Sequence, residues 1–582
     1  MTPIEIENLS VKYAGRKRPT LEGVNLALRP GETTLILGAS GSGKSTLALT
    51  LNGLIPHSLG AIVGGAVRVG GIDTQASRVA ELAQTVGIVF QDPEAQFVTL
   101  TVEDELLFGL ENLCVPPQEM DARVDAALAA VGMGGWRRRR VDRLSGGQKQ
   151  RVALAALLAL GPRVLVFDEP TANLDPRGTR EVFALLAELK ARGEHTIVLI
   201  EHKLDALMHL IDRVVVLGAA GVPLADGPPR TVFDRDGDLL EREGVWLPQV
   251  TLLARRLRGR GMALAPFPMT LADADAALAD HSPARGATRL ADARDRSATT
   301  APAAPPVIEV RGLSFSYGPQ AILRDIALTI RRGEFVALVG ANGAGKTTLA
   351  QHLVGIVAAP RGIVLLEGKD VGRLRASEIA RRVGYVFQNP EHQFVTDSAL
   401  DEVAYGLRTL GQPPAKAEEQ AAALLERFGL ARYARANPFT LSHGEKRRLS
   451  VATMLAMGQD LLILDEPTFG QDERNARELL MLLRELHAEG RTVIVVTHDM
   501  ALVAEHAARV VALAEGRIIF DGTSRDLFAR PALLAAAHLA PPPIAELSAR
   551  LAARDPRWPA ALTTAELADA ATGRSAGAVA AP

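Results

Sequence analysis

Two segments of the chain have residues suited to holding the phosphates of a nucleotide. Residues 38–46 read GASGSGKST, and residues 340–348 read GANGAGKTT. In the pattern GxxxxGK[ST], glycines let the backbone wrap so that successive N–H groups point at phosphate oxygens. The lysine reaches the β- and γ-phosphates, and the last hydroxyl is a ligand for Mg2+. Because the pattern occurs twice, each time after an apolar run, a chance glycine-rich turn is disfavoured and two nucleotide-binding loops are predicted.

The helix that should follow each loop adds the positive end of its dipole to the phosphate site. The residues predicted to surround the nucleotide in the first loop are Gly38, Ala39, Ser40, Gly41, Ser42, Gly43, Lys44, Ser45 and Thr46. Those in the second loop are Gly340, Ala341, Asn342, Gly343, Ala344, Gly345, Lys346, Thr347 and Thr348.

A pair of acidic residues ends an apolar run in two further places. Asp168 and Glu169 follow four apolar residues, and so do Asp465 and Glu466. The first acid of each pair is suited to binding Mg2+ through water, and the second to orienting or deprotonating an attacking water. A solvated acidic turn is the alternative for either pair alone. The nucleotide loops in the same chain favour the catalytic interpretation.

Apolar runs must become the strands that position these groups. TTLILG and FVALVG lead into the nucleotide loops, and VLVFD and LLILD end in the acidic pairs. Continuous apolar runs of this length are typical of buried parallel strands. Helical stretches such as REVFALLAELKARG separate them, which predicts an α/β fold.

The chain repeats itself. The two nucleotide loops lie 302 residues apart (340 − 38), and VGIVFQDPEAQFVT and VGYVFQNPEHQFVT lie 297 apart (383 − 86). A repeat of about 240 residues is too long for a solenoid, so each copy is predicted to be a whole domain. We place the first domain at 1–250 and the second at 307–545. Residues 251–306 are a predicted linker, partly disordered, because 283–306 are rich in Ala, Arg and Pro; a surface loop inside one domain is the alternative. Residues 546–582 are a predicted tail, because the stretch from 571 looks similarly unstructured.

Composition excludes several classes of protein. The 582 residues are 47% hydrophobic and 23% charged, which is ordinary for globular proteins and rules out a mainly disordered chain. The net charge of −2 disfavours general nucleic-acid binding. Cys114 is the one cysteine, so no internal disulfide can form. The sequence shows neither a secretory signal nor an apolar run of about 18 residues, and we expect a cytosolic protein of several domains.

A third motif identifies a family. LSGGQ at 144–148 places Ser145 23 residues before Asp168 (168 − 145), and LSHGE at 441–445 places Ser442 23 before Asp465 (465 − 442). Between the other two motifs, LSGGQ resembles the signature of the ABC ATPases. The resemblance implies two tandem P-loop NTPase domains, each with a RecA-like core, an antiparallel β subdomain and an α-helical subdomain. It also implies that each signature caps ATP bound by the facing domain.

The resemblance assigns further roles by position. The signature residues expected at the nucleotide are Ser145, Gly147, Gln148, Ser442 and Gly444. Those expected to stack on adenine are Tyr13 and Tyr317, for which packing on a strand face remains the alternative. The expected catalytic residues are Glu169 and Glu466, with the switch histidines His202 and His498. The expected Mg2+ ligands are Ser45, Gln91, Asp168, Thr347, Gln388 and Asp465.

Loop details point to one subfamily. FQDPEAQFVT at 90–99, FQNPEHQFVT at 387–396 and PTFGQD at 467–472 resemble the ATPases of energy-coupling-factor (ECF) importers. This implies ATP and Mg2+ as ligands, and uptake of a vitamin such as thiamine or hydroxymethylpyrimidine, or of a metal ion such as cobalt. The implied partners are an integral-membrane scaffold (T-type) protein and a substrate-binding membrane (S-type) protein, with no nucleic acid. The implied location is the cytoplasmic face of the cell membrane.

Three alternatives remain open. A twin-domain ABC protein acting on ribosomes shares the ATP motifs, but it usually has a long, charged helical linker. The ATPase of another transporter class, for drugs or sugars, would differ in its partners. A nucleotide-binding scaffold without turnover is disfavoured by both acidic pairs.

The second signature departs from the family pattern. His443 replaces a glycine and Glu445 replaces a glutamine. A carboxylate near bound nucleotide is electrostatically unfavourable. The expected site that joins Lys44 to Ser442 and Gly444 should therefore hydrolyse more slowly than the site that joins Lys346 to Ser145 and Gly147.

Overall fold

The computed structural model describes residues 3–14, 16, 18–172, 174–284 and 304–573. The chain forms two compact units: the first comprises Met1–Thr251 and Pro266–Asp273, and the second Leu252–Ala265 and Ala274–Pro582. Residues 285–303 of the predicted linker and 574–582 of the predicted tail lie outside the described residues, and the domain boundaries proposed from sequence stay a prediction.

The strands of the first unit are β1 Ile4–Tyr13, β2 Leu21–Leu28, β3 Thr33–Gly38, β4 Ala61–Val69, β5 Ile72–Asp73, β6 Val86–Val89, β7 Val164–Asp168, β8 Thr196–Ile200, β9 Arg213–Leu217 and β10 Pro223–Gly227. The first helices are α1 Lys44–Leu51, α2 Leu54–His57, α3 Val79–Leu82, α4 Val102–Asn112, α5 Pro117–Ala130, α6 Gly146–Leu160, α7 Pro176–Arg192, α8 Pro229–Arg235, α9 Gly237–Arg242, α10 Gln249–Gly259 and α11 Leu271–Ala277.

The second unit repeats this order. Its strands are β11 Pro306–Tyr317, β12 Gln320–Arg331, β13 Phe335–Val339, β14 Val364–Leu366, β15 Lys369–Asp370, β16 Val383–Val386, β17 Leu461–Asp465, β18 Thr492–Thr497, β19 Arg509–Ala514 and β20 Arg517–Thr523. Its helices are α12 Lys346–Leu353, α13 Ala376–Ala380, α14 Ala399–Thr409, α15 Pro414–Arg427, α16 His443–Ala456, α17 Glu473–Ala488, α18 Met500–His506, α19 Ser524–Phe528, α20 Pro531–Ala536, α21 Pro543–Arg554 and α22 Thr564–Thr572.

Each unit has two sheets with the same strand order. A four-stranded antiparallel sheet runs β2-β1-β4-β5 in the first unit and β12-β11-β14-β15 in the second. A six-stranded sheet runs β10-β9-β3-β8-β7-β6, and β20-β19-β13-β18-β17-β16 in the second unit. It is parallel except for the edge strand β10 or β20. The predicted α/β architecture is confirmed in both units.

Burial follows the two kinds of sheet. Every residue of β3 and β7 is buried, as expected for parallel strands covered on both faces, whereas β1 alternates between buried and exposed positions along its first half. In the first unit, Ile36 and Val166 of the parallel sheet pack with Ile4 and Val67 of the antiparallel sheet in one core. The apolar alternation of β1 therefore fixes which face it presents to the core.

The strand order gathers the functional loops at one edge. In the first unit β8 lies between β3 and β7, and Asp168 is in register with Ile200. In the second unit Asp465 is in register with Val496, and Val339 with Thr497. Because these strands are parallel, the loops after them leave from the same edge, where open α/β sheets bind ligands.

The structure contains helices that we did not predict from the sequence. Two of these segments contact α21 and α22 within the second unit. They are Leu252–Ala265 and the part of α11 that begins at Ala274. Arg260 pairs with Asp569 at 2.7 Å, and Arg554 pairs with Asp275. Both residue types recur at an offset of 294 (554 − 260 and 569 − 275), so the two ion pairs are reciprocal. In the described part of the chain, none of the helices is long and apolar enough to cross a membrane.

Candidate functional site

The first nucleotide loop leads directly into α1. Gly43 precedes the helix with φ 97°, and Gly41 also has a positive φ of 81°. A Cβ at Gly43 would come within 2.4 Å of the Leu21 side chain, while at Gly41 it would meet nothing within 4 Å. Lys44 is buried, and its Nζ donates to the carbonyls of Gly38 (2.8 Å) and Ala39 (3.0 Å). The ammonium group is therefore held over the loop that precedes it.

The second loop has the same geometry. Gly345 precedes α12 with φ 98°, and Gly343 has φ 79°. Lys346 Nζ donates to the carbonyls of Gly340 (2.9 Å) and Ala341 (3.0 Å). Residues 38–46 and 340–348 thus run in the same way from the end of a strand, through a turn, into the first turn of a helix.

The first acidic pair lies beside this loop. The Ser45 hydroxyl hydrogen-bonds the carboxyl of Asp168. Glu169 Oε2 accepts from Gln91 Nε2 at 3.0 Å, and Glu169 Oε1 lies 3.0 Å from His202 Nε2. The structure therefore brings together five of the residues that the sequence singled out in the first copy.

In the second unit the acidic pair has partly different partners. Thr347 hydrogen-bonds Asp465, and His498 Nδ1 lies 2.8 Å from Glu466 Oε1. Glu466 Oε2 accepts from Thr497 Oγ1 at 3.3 Å. The second site thus has the same histidine–glutamate pair, made through the other ring nitrogen.

The backbone at both glutamates is strained. Glu169 has φ 49° and Glu466 has φ 45°, in the left-handed region that side chains other than glycine rarely adopt. Their N–H groups donate to the carbonyls of Ile200 (2.9 Å) and Val496 (2.8 Å) on the neighbouring strand. Such strain costs about 1–3 kcal/mol and is found preferentially at functional sites.

Burial changes the acidity of the strand-end aspartates. Desolvation raises the pKa of Asp168 to about 6, the Glu169 charge adds to this, and the Ser45 hydrogen bond and the charge of Lys44 oppose it. The pKa of Asp465 is raised for the same reason. A nearby cation favours the ionised form of a buried carboxyl group and so offsets the cost of its desolvation.

The predicted adenine and glutamine positions are placed differently in the two units. The Tyr13 hydroxyl lies 3.1 Å from Thr46 Oγ1 at the start of α1. Tyr317 is 52% exposed, and its ring is in edge contact with Phe315. The carbonyl of Gln388 accepts from the Arg447 guanidinium at 2.5 Å.

The signature residues form a second cluster in each unit, at the start of α6 and of α16. Ser145 caps α6, and its N–H donates to Gln148 Oε1 at 2.9 Å. Ser442 caps α16 in the same way, with Glu445 as its partner. Gly147 follows in the first turn of α6, and Gly444 in that of α16.

Three residues near the acidic pairs were missed by sequence reasoning. Arg447 is fully buried and donates to the Glu466 carbonyl at 3.2 Å. The Tyr385 hydroxyl donates to Asp465 Oδ2 at 3.2 Å. Glu201 is buried and accepts from the hydroxyl of Thr171 at 2.7 Å. The two copies differ at each of these positions: the equivalents of Arg447, Tyr385 and Glu201 are Gln150, Ile88 and Thr497. A comparison of the copies would therefore have found these residues.

The fold and these clusters define a protein with two P-loop ATP-binding domains. Comparison with known families agrees: a family model described as ABC transporter matches residues 21–172 and 323–469. The chain therefore belongs to the ABC transporter family. It is an ABC transporter ATPase with two repeated domains, and membership of this family implies that it binds ATP.

Relatives cover nearly the whole chain. A protein of Methanosarcina acetivorans, assigned as an ABC transporter ATP-binding protein, is 42% identical over 94% of this chain and 90% of its own length. YkoD of Bacillus subtilis, assigned as an HMP/thiamine import ATP-binding protein, is 39% identical over 90% of this chain and 92% of its own. CbiO1 from Clostridium perfringens, part of the ABC transporter complex cbiONQ, is 32% identical over 42% of this chain and 98% of its own, with a TM-score of 0.37.

Proposed function

We propose that this chain hydrolyses ATP to energise an ECF-type membrane importer. The observation that carries the ATPase chemistry is the glutamate–histidine pair after β7, Glu169 with His202, and its counterpart after β17, Glu466 with His498. The importer class is supported by the similarity to YkoD over 90% of the chain and by the ECF-like loops around Gln91 and Gln388.

The glutamates act as the groups that orient and deprotonate the attacking water. His202 and Gln91 hold both carboxylate oxygens of Glu169, so the rotamer is fixed before ATP arrives. Such preorganisation removes the cost of arranging the base during the reaction. His498 and Thr497 fix Glu466 in the same way.

The nucleotide loops hold the phosphates. Gly41 and Gly343 have positive φ and open space around the position of a Cβ, which lets the backbone approach a ligand closely. Lys44 and Lys346, now bonded to loop carbonyls, exchange one of those bonds for a phosphate oxygen. Tyr13 and Tyr317 stack on the adenine.

The residues beside each loop fit Mg2+. A hydroxyl and a buried carboxyl meet in each unit, Ser45 with Asp168 and Thr347 with Asp465, and oxygen donors of this kind suit the ion. Gln91 and Gln388 complete the proposed ligand set. When bound, Mg2+ neutralises phosphate charge.

The signature residues complete the proposed ATP-binding set, with Ser145, Gly147 and Gln148 in the first unit and Ser442 and Gly444 in the second. ATP binding and hydrolysis move a T-type scaffold and an S-type substrate-binding protein at the cytoplasmic face of the membrane. The solute is a thiamine- or hydroxymethylpyrimidine-like vitamin or a metal ion such as cobalt.

Single variants test the chemistry. Glu169→Gln and Glu466→Gln keep the size of the side chain, replace one acceptor oxygen by an amide donor and remove the base, so each should abolish turnover at one site while ATP still binds. The double variant should lose turnover altogether. Undiminished hydrolysis in the double variant would exclude these glutamates as the bases.

A tagged pull-down from detergent-solubilised native membranes tests the partners. Recovery of a polytopic scaffold and a small membrane binding protein, identified by mass spectrometry, supports the importer. Recovery of ribosomes without membrane proteins would replace it with the ribosome-acting alternative and leave the ATPase chemistry intact.

A further inference from the structure

The hydroxyl of the second signature serine is engaged within its own loop. Ser442 Oγ donates to Glu445 Oε2 at 2.8 Å, and the same oxygen accepts from Ser442 N–H at 2.9 Å. A hydroxyl has a single proton to donate. While it points to Glu445, it offers a lone pair rather than a proton to any phosphate in front of the helix.

The first signature has a neutral partner in the same place. Ser145 N–H donates to Gln148 Oε1, and the Ser145 hydroxyl accepts from the N–H of Gln148. The amide oxygen of Gln148 is a weaker acceptor than a carboxylate. Both loops form a capping box, in which Glu445 and Gln148 occupy the same position.

Neighbours keep Glu445 ionised. The pKa of Glu445 is lowered, although burial opposes this, by hydrogen bonds from the Tyr433 hydroxyl and from Ser442 and by the charge of Arg432. The Arg432 guanidinium lies 3.7 Å from the carboxylate. Gly135 stands at the equivalent place of the first copy (432 − 297), so Arg432 accompanies the acidic signature only.

We infer that Glu445 is a positioning residue that holds the Ser442 hydroxyl away from the γ-phosphate and so weakens the second signature as a clamp on ATP. This inference rests on the proposed function, in which Ser442 and Ser145 belong to the ATP-binding set. An ATP held by the second signature has to rotate the Ser442 hydroxyl out of a charge-assisted hydrogen bond. An ATP held by the first signature, with Ser145, meets no such cost.

The test exchanges the matched residues. Glu445→Gln is made in the full-length chain. At one of the two ATP sites, binding of the non-hydrolysable analogue AMP-PNP should tighten about tenfold, the value of one charge-assisted hydrogen bond, and turnover at low ATP should rise. Affinity for ADP should stay unchanged, because the clamp acts on the γ-phosphate, whereas a merely structural effect would move both nucleotides.

The reciprocal variant is the matched control. Gln148→Glu in the full-length chain should weaken AMP-PNP binding at one of the two ATP sites by a similar factor. No change in either variant would overturn the inference. Absence of ATP turnover in the unaltered protein would refute the proposed function rather than the role of Glu445.

Discussion

The guanidinium of Arg447 donates through Nη2 to the backbone carbonyl of Glu466, 3.2 Å away. The same group donates to the carbonyls of Phe387 and Gln388 in the loop after β16. Burial lowers the pKa of Arg447 to about 10, so the side chain stays charged at neutral pH. One buried cation therefore joins the helix α16, the loop after β16 that contains Gln388, and the acidic pair that follows β17.

Replacing Arg447 should selectively slow the ATP turnover that depends on the second acidic pair, Asp465 and Glu466. Arg447→Gln, which introduces the residue found at position 150 of the first copy, leaves buried carbonyls without a donor and removes a charge near Asp465 and Glu466. A buried polar group left unpaired costs about 1–3 kcal/mol. We expect turnover in the Glu169→Gln background to fall about tenfold, which corresponds to 1.4 kcal/mol, and the Tm to fall.

An exposed arginine provides the comparison. Arg427 pairs with Glu489 at 2.6 Å, and both side chains are well exposed. Arg427→Gln should change stability by less than about 1 kcal/mol and leave turnover unchanged. If Arg447→Gln behaved like Arg427→Gln in both assays, the proposed junction would have no role in catalysis.

The signature glycines predict a second asymmetry. A Cβ at Gly444 would come within 2.4 Å of the Asn475 side chain, which bonds Asp472, whereas a Cβ at Gly147 would lie 3.7 Å from Gly178. Overpacking typically costs about 1–3 kcal/mol. Gly444→Ala should therefore lower the thermal stability of the second domain, and Gly147→Ala should not.

Rescue distinguishes a clash from a general helix effect. Gly178 stands where the second copy has Asn475, so Gly444→Ala with Asn475→Gly removes the atoms in conflict. The double variant should recover most of the Tm lost in Gly444→Ala. Equal losses in the single and double variants would show that the side chain of Asn475 is not the obstacle.

Much of the fold and site could be predicted because the relevant signals are local. The apolar strands TTLILG and VLVFD each end in a motif, and parallel strands deliver their carboxyl ends to one edge. Lys44, Asp168 and Glu169 therefore had to lie near one another. The partners of Arg447 and Tyr385 depend on how helices and loops pack, and no spacing in the sequence specifies them.

The helices α21 and α22 were missed for a different reason. Their Ala-rich composition suggested a tail, while the buried leucines Leu547 and Leu551, four residues apart, indicate an amphipathic helix. Leu253 and Leu257 in α10 repeat that spacing. Alignment of the ends of the two copies would have revealed a repeated helical pair.

The reciprocal ion pairs of this region should differ in strength. The side chains of Arg260 and Asp569 are 17% and 7% exposed, against 43% and 25% for Arg554 and Asp275. Breaking a buried pair costs roughly 3 kcal/mol, and breaking an exposed one about 0–1 kcal/mol. Asp569→Asn should lower the Tm of the second unit clearly and Asp275→Asn only slightly. Equal effects in calorimetry would show that burial does not set the difference.

Acid should destabilise the second unit through a partly buried histidine at the end of α18. Desolvation, and the charge of Arg484, lower the pKa of His506 from 6.5 to about 4. Because the folded pKa is below the unfolded one, the unfolded state binds more protons between these values. Stability from this group is complete above pH 6.5 and is lost as the pH falls towards 4, by about 2 kcal/mol at pH 5.

The measurement is a double difference. Unfolding is followed at pH 7 and pH 5 for the unaltered chain and for His506→Gln, which cannot take up the proton. The variant should lose less stability between the two pH values, by about 2 kcal/mol. His281 is exposed, so His281→Gln serves as the matched control and should retain the full pH dependence. If His506→Gln retained it as well, burial of His506 would not contribute to acid sensitivity.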